Sequence, residues 1–173
     1  DLVQTTEGGG SVWHTDAGGA QLFGVAVGAA PLALLPEGRY FEVVVDRVRE
    51  GQSDGLAIGV TATPPAEVAA AEPAEFADEL PDVWVAGFDG IFQSSTRRHA
   101  QLEDLRLAWN PAHLGSGARV GLLVTHEGEL LVFEDGEAVV KLWDRLPAAE
   151  VPLYAVVDLL GRVSGVSLRP GAR

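Results

Sequence analysis

Four histidines, His14, His99, His113 and His126, are the side chains best suited to metal ligation or to proton transfer near neutral pH. None stands two or four residues from another, so no strand or helix face presents a pair. No carboxylate pattern around them completes a metal site, and surface or turn positions are expected for them. The chain has no cysteine, which excludes disulfides, thiolate metal sites and cysteine nucleophiles. A G-x-S-x-G turn is missing too, and with it the strained-turn route to a serine nucleophile. Gly8-Gly9-Gly10 and Gly18-Gly19 have neither the strand-then-helix setting nor the lysine of a phosphate loop and read as turns. Carboxylates are abundant, but spacing alone does not define an acid–base pair. The expectation is a protein that is not an enzyme, with no cofactor and no metal.

A different chemistry gathers in the middle third. Trp84, Phe88, Phe92 and Trp109 are interleaved with Gln93 and with Ser94-Ser95-Thr96-Arg97-Arg98-His99. The two arginines follow a stretch, residues 50–96, that holds no Lys or Arg. Arginine beside aromatic side chains is the material of recognition hot spots. Two readings stand for each part. Trp84 and Phe88 are either core residues of a strand VWVAGF or contact residues. The run from Gln93 to His99 is either a recognition segment or a solvated hairpin tip whose arginines pair with acidic neighbours.

The charge balance narrows the partners. Twelve basic against 25 acidic residues leave a net charge of −13, which repels phosphate backbones and anionic lipid, so neither nucleic acid nor a membrane is an expected partner. No apolar run reaches the roughly 18–20 residues of a membrane-spanning helix. The lack of cysteine fits a reducing compartment, and an intracellular, cytoplasmic location is expected. With no methionine, the sequence reads as a domain excised from a longer chain.

Such residues must be positioned by short strands. Among the 173 residues, 21 glycines and 10 prolines punctuate apolar runs about every ten residues, the rhythm of an all-β sandwich or barrel. Residues 40–48 are expected as a central strand buried on both faces, paired antiparallel with 55–61 across the turn 50–54. Residues 119–125, 129–133, 138–142, 153–157 and 163–168 are expected to form a five-strand meander. Its turns fall at His126-Glu127-Gly128, at Asp135-Gly136 (a type I′ signal) and at 158–162. Residues 64–82, rich in alanine, proline and acid, are expected as a solvated loop with a helical turn on each side of Pro73. That loop is either plain surface or an acidic docking strip for a basic partner. Residues 1–11 are expected to be flexible by composition and 12–173 to form a single domain.

The order of motifs resembles the Neuralized homology repeat (NHR) family of the SPRY/concanavalin-like superfamily. Pro31-Leu32 leading to Tyr40-Phe41-Glu42-Val43, then Leu56-Ala57-Ile58-Gly59-Val60-Thr61-Ala62-Thr63-Pro64, is similar to its opening strands. Leu80-Pro81-Asp82-Val83-Trp84 resembles its Leu-Pro before a Trp strand. Leu114 to Gly121 resembles its "L-x-x-G-D-x-V-G", with Ala118 at the usual Asp. Glu127-Gly128-Glu129-Leu130 with Phe133-Glu134-Asp135-Gly136 resembles its "D-G-x-L…F-x-N-G", with Asp135 at the usual Asn. Pro152 to Gly161 is similar to "P-L-Y-A-V-V-D-L-Y-G", with Leu160 at the last Tyr. Near Ala20-Gln21-Leu22 the arginine of the family's first strand is absent.

The resemblance implies a two-sheet antiparallel β-sandwich of jelly-roll type. It also implies a protein-interaction module that captures short peptide segments, sometimes as the substrate-recognising part of a ubiquitin ligase. With no cysteine to ligate RING zinc, this chain would be the recognition half alone. Grouping, and not a family site, marks Trp84, Phe88, Gln93, Arg97, Arg98 and Trp109 as candidate partner-binding residues. Two readings of other classes stand beside this one: a glycan- or small-ligand-binding lectin-like sandwich, and self-association through an edge strand. The oligomeric state is left open.

Overall fold

The computed structural model describes residues 3–6, 10–15, 23–95, 105–147 and 149–169. β-branched and aromatic side chains favour the pleated surface. Where they concentrate, at 38–48, the longest strand forms: β5 (Gly38–Val48). It lies inside the larger of two antiparallel sheets. With β1 (Val3–Thr5), β2 (Ser11–His14), β14 (Val163–Leu168), β10 (Arg119–Thr125), β11 (Glu129–Glu134) and β12 (Glu137–Trp143), the order is β1-β2-β14-β5-β10-β11-β12. The two-residue β4 (Leu34–Leu35) also pairs with β5. The smaller sheet runs β3 (Val25–Val27), β13 (Tyr154–Asp158), β6 (Ala57–Thr61), β7 (Val83–Gly87), β8 (Ile91–Ser94) and β9 (Leu105–Arg106), in that spatial order.

Alternate residues of each strand face the space between the sheets. Phe41, Val43 and Val45 of β5, with Leu122, Val124, Leu130 and Val132, meet Ile58, Val60, Trp84, Phe92 and Val157 from the opposite layer. Each such side chain contributes roughly 1.5–3 kcal/mol by leaving water. The two-sheet antiparallel sandwich is therefore the fold.

Turn chemistry fixes the hairpins as expected. Asp135 and Gly136 have φ of 51° and 94°, both positive as a type I′ turn requires, and they close β11 onto β12. Gly128, with φ of 82°, closes β10 onto β11.

Two expected pairings are replaced by crossings between layers. β5 and β6 do not pair; β5 bonds β10, β14 and β4, whereas β6 bonds β13 and β7. The last two strands are no hairpin either. β13 joins the small sheet and β14 returns to the large one, so the meander covers only β10 to β12. The physical reason lies in the connections. Leu56 and Leu159 are fully buried and Leu160 nearly so, and a tight surface turn would have left these leucines in water. The Arg49 guanidinium donates to the carbonyls of Leu159, Leu160 and Gly161 at 3.2–3.4 Å, satisfying the crossing backbone.

Val3–Thr5 form an edge strand on β2, with Val3 opposite His14 and Thr5 opposite Val12.

The acidic segment has helical turns on both sides of Pro73, α1 (Pro65–Ala70) and a 3-10 turn at Ala77–Glu79, as expected. It is not a free loop, however. Ala77 and Leu80 are buried with Val83, Val85, Val156 and Leu160, and Val68 and Phe76 pack onto that second cluster on the outer face of the small sheet.

Candidate interaction surface

The sandwich has two ends, and they differ in how far their polar groups are committed. One end gathers the turns 49–56, 88–90, 107–118, 134–137 and 158–162. Here close backbone approach requires glycine: a Cβ on Gly55 would lie 2.3 Å from the Pro111 carbonyl carbon, and one on Gly161 2.2 Å from the Asp54 oxygen. Trp109 Nε1 donates to Glu134 Oε2 at 2.8 Å, and Glu134 Oε1 meets His113 Nε2 at 2.6 Å. His113 Nδ1 meets the Asn110 carbonyl at 2.7 Å. Both ring nitrogens thus face acceptors, which favours the imidazolium. The Glu134 hydrogen bond, and then the Asn110 carbonyl, raise the His113 pKa. Asn110 Oδ1 accepts from Ala112 N–H at 2.9 Å, capping the 3-10 turn Pro111–His113. Arg106 pairs with Asp89 at 2.8 Å. The histidine chemistry here is structural.

Asp158 belongs to the same end. It is fully buried, accepting from Ala77 N–H at 2.9 Å and from Leu160 N–H at 3.1 Å. Burial pushes its carboxyl up to about 6, against the pull of these two donors, and nearby Asp78 and Glu79 add to the rise. Its role is to pin the acidic segment and the 158–162 crossing to one another.

The opposite end is held by backbone bonds but presents apolar side chains. Leu32 N–H donates to Leu153 O at 2.8 Å, and Arg39 reaches the Leu32 and Val151 carbonyls, at 2.5 Å and 3.3 Å. Around this frame Leu34 is 50% exposed and Trp143 57%. The Arg145 guanidinium stands over the Trp143 ring, 5.0 Å from its centroid. His126, expected at a turn, sits here with Nε2 3.0 Å from the Leu35 and Pro36 carbonyls. His14, by contrast, is buried in β2, where a surface or turn position was expected.

The six candidates from the sequence do not form one cluster. Trp84 and Trp109 lie in the core between the sheets, each 5% exposed. Phe88 packs in the separate cluster on the outer face of the small sheet. Trp84 near the start of β7 and Phe88 just past its end are about 13 Å apart along the strand. Trp109 lies with Phe88's end, since its carbonyl is 3.2 Å from the position of a Cβ on Gly90. Gln93, in β8, pairs with Val85 at the middle of β7, midway along the small sheet. Arg97 and Arg98 lie outside the described residues. The sequence reading passed over Trp143. Its signal was a tryptophan in register with solvent-facing Lys141, alternating with the inward Val140 and Leu142.

Among the described residues, no group of three or more His, Asp or Glu is placed to hold a metal ion. Among the same residues no helix is long and apolar enough to cross a membrane.

Two stacked antiparallel sheets with this strand arrangement are those of SPRY-type sandwiches. The fold matches a human SPRY domain at a TM-score of 0.65 and 17% identity, covering 100% of this chain and 98% of that one. It also matches the SPRY domain of human HERC1 at 0.58 and 13%, covering 99% and 97%. The Drosophila melanogaster neuralized-nhr1 domain superposes at 0.65 with 11% identity, covering 99% of this chain and 93% of that chain. The Neuralized family model matches residues 24–169, and the chain belongs to that family. Membership supports a protein-interaction module.

Proposed function

We propose that this module captures short, extended peptide segments of partner proteins at the end of the sandwich where Leu34 and Trp143 stand exposed. The observation that carries the reading is two large apolar side chains left exposed at one end, about 19 Å apart across the large sheet and within the span of one extended segment, with Arg145 already stacked on the tryptophan. Tryptophan and arginine dominate measured recognition hot spots. Gln93, midway along the outer face of the small sheet, is kept from the sequence grouping as a peripheral contact. Arg97 and Arg98, which follow Ser95 in sequence, are included as the groups that hold acidic or carbonyl functions of the peptide. Trp84 packs in the core between the sheets, whereas Phe88 and Trp109 lie at the other end and are not part of this surface. In a longer protein the module would select the substrate of a ubiquitin ligase, in an intracellular, cytoplasmic setting. No catalytic step is assigned to it.

The test is selection from a displayed peptide library beside a glycan array, followed by Trp143→Ala and Leu34→Ala. Enriched peptides whose affinity falls at least about tenfold in these variants support the reading. Glycan binding without peptide enrichment replaces it with the lectin-like alternative.

A further inference from the structure

The outer face of the small sheet carries a second, chemically different feature. The connection from β6 to β7 is pinned along its length. Thr61 and Thr63 hydroxyls donate to the Pro81 carbonyl at 2.8 and 3.1 Å, Phe23 N–H donates to Glu75 O at 3.0 Å, and Ala77 N–H is held by Asp158. Between α1 and β3 this folded segment leaves an apolar groove of about 280 Å³ lined by Phe23, Val27, Pro65, Val68, Pro73 and Leu80 among others. That volume lies just below the roughly 300–1,000 Å³ of small-molecule sites, and suits one or two apolar side chains. Around it Glu67, Glu72, Glu75, Glu79 and Asp82 are exposed. From residue 50 to 96 no Lys or Arg offsets them. An acidic rim around an apolar floor attracts cations and rewards an apolar anchor between them.

We propose that this groove docks a basic protein segment, an aliphatic or aromatic anchor flanked by Lys or Arg. It is independent of the peptide surface above. β3 and β8, which carry Val27 and Gln93, are separated by β13, β6 and β7, about 19 Å at the usual strand spacing. The occupant is a polypeptide, because a chain running along this edge strand can set an apolar side chain in the slot and basic side chains against the acidic rim.

The experiment uses a fluorescein-labelled peptide, Lys-Lys-Leu-Phe-Lys-Lys, its Leu/Phe-to-Ser counterpart, and a Glu-for-Lys version. Anisotropy titrations are run at 50 and 300 mM salt on the wild type, on the Glu67→Lys/Glu72→Lys variant and on Trp143→Ala. Binding of the first peptide should exceed the other two by about tenfold or more and fall at high salt. It should drop about tenfold in the charge-reversed variant and be unchanged in Trp143→Ala. Amide shifts on the ¹⁵N-labelled wild type should cluster at Phe23, Val27, Val68 and Leu80. Equal binding of the Ser peptide, insensitivity to Glu67→Lys/Glu72→Lys, shifts centred elsewhere, or no binding at 1 mM would each overturn the proposal. Loss of binding in Trp143→Ala would put the peptide on the surface around that tryptophan and likewise overturn the proposal; the other results leave peptide capture there untouched.

Discussion

Replacing Asp158 by Asn removes a buried charge while keeping the shape of the side chain. The unfolded carboxyl titrates near 3.8 and the folded one near 6. As pH rises through that interval the unfolded chain gives up its proton first, so the folded state loses stability. The contribution is fully present below about pH 4 and gone above about pH 6, and the gap amounts to about 3 kcal/mol. Ala77 and Leu160 N–H donate to different carboxyl oxygens, and Asp158→Asn turns one of these oxygens into an amide NH2, so one donor loses its acceptor at every pH at a cost of about 1–3 kcal/mol. At pH 4 the variant should therefore be about 1–3 kcal/mol less stable than the wild type, and by pH 7 the difference should move in the variant's favour by about 3 kcal/mol. Urea unfolding followed by tryptophan fluorescence at pH 4, 5, 6 and 7 measures the difference, and ¹³C titration of the Asp158 carboxyl locates its midpoint. A stability difference that does not change with pH, or a midpoint near the ordinary aspartate value, would refute the burial argument.

Other outcomes follow from named contacts. Trp84 Nε1 is buried and has no hydrogen-bond partner among the described residues, whereas Trp109 Nε1 donates to Glu134. Trp109→Phe should therefore cost about 1.5–3 kcal/mol more than Trp84→Phe in denaturant titrations. A Cβ on Gly59 would sit 2.2 Å from the Trp84 carbonyl oxygen; Gly59→Ala should lower stability by about 3 kcal/mol or more, and a wild-type melting curve would contradict this. His113, its pKa raised by Glu134, stabilises the fold below its unfolded pKa and ceases to as pH rises through the folded value. The stability difference between wild type and His113→Gln should accordingly be larger at pH 6 than at pH 9. Arg97→Ala/Arg98→Ala should weaken capture of a selected peptide by about 1–2 kcal/mol; unchanged affinity removes the two from the site.

How far the sequence carried depends on whether each feature is local. The Gly128 and Asp135-Gly136 hairpins were legible because turn geometry is written in two residues. Helical turns around Pro73 were legible for the same reason. The β5–β6 and β13–β14 pairings were not, because choosing between a hairpin and a crossing depends on what covers Leu56 and Leu159-Leu160 from distant segments. Those adjacent leucines in a supposed surface turn were the available warning. Trp84 and Phe88 carried both a core and a contact reading, and the length of β7 between them, which separates their ends of the sandwich, was not legible. The commitment of Glu134 to both Trp109 and His113 depends on a β-hairpin more than twenty residues away and left no local trace.

The most direct measurement is the footprint of a library-selected peptide on the chain, read by amide hydrogen exchange with and without the peptide. Protection is expected at Leu34, Gln93, Trp143 and Arg145, with the Trp109–His113 turn unaffected. Protection confined to residues 107–118 and 134–137, with Leu34 and Trp143 exchanging as in the free protein, would contradict the assignment of the binding end.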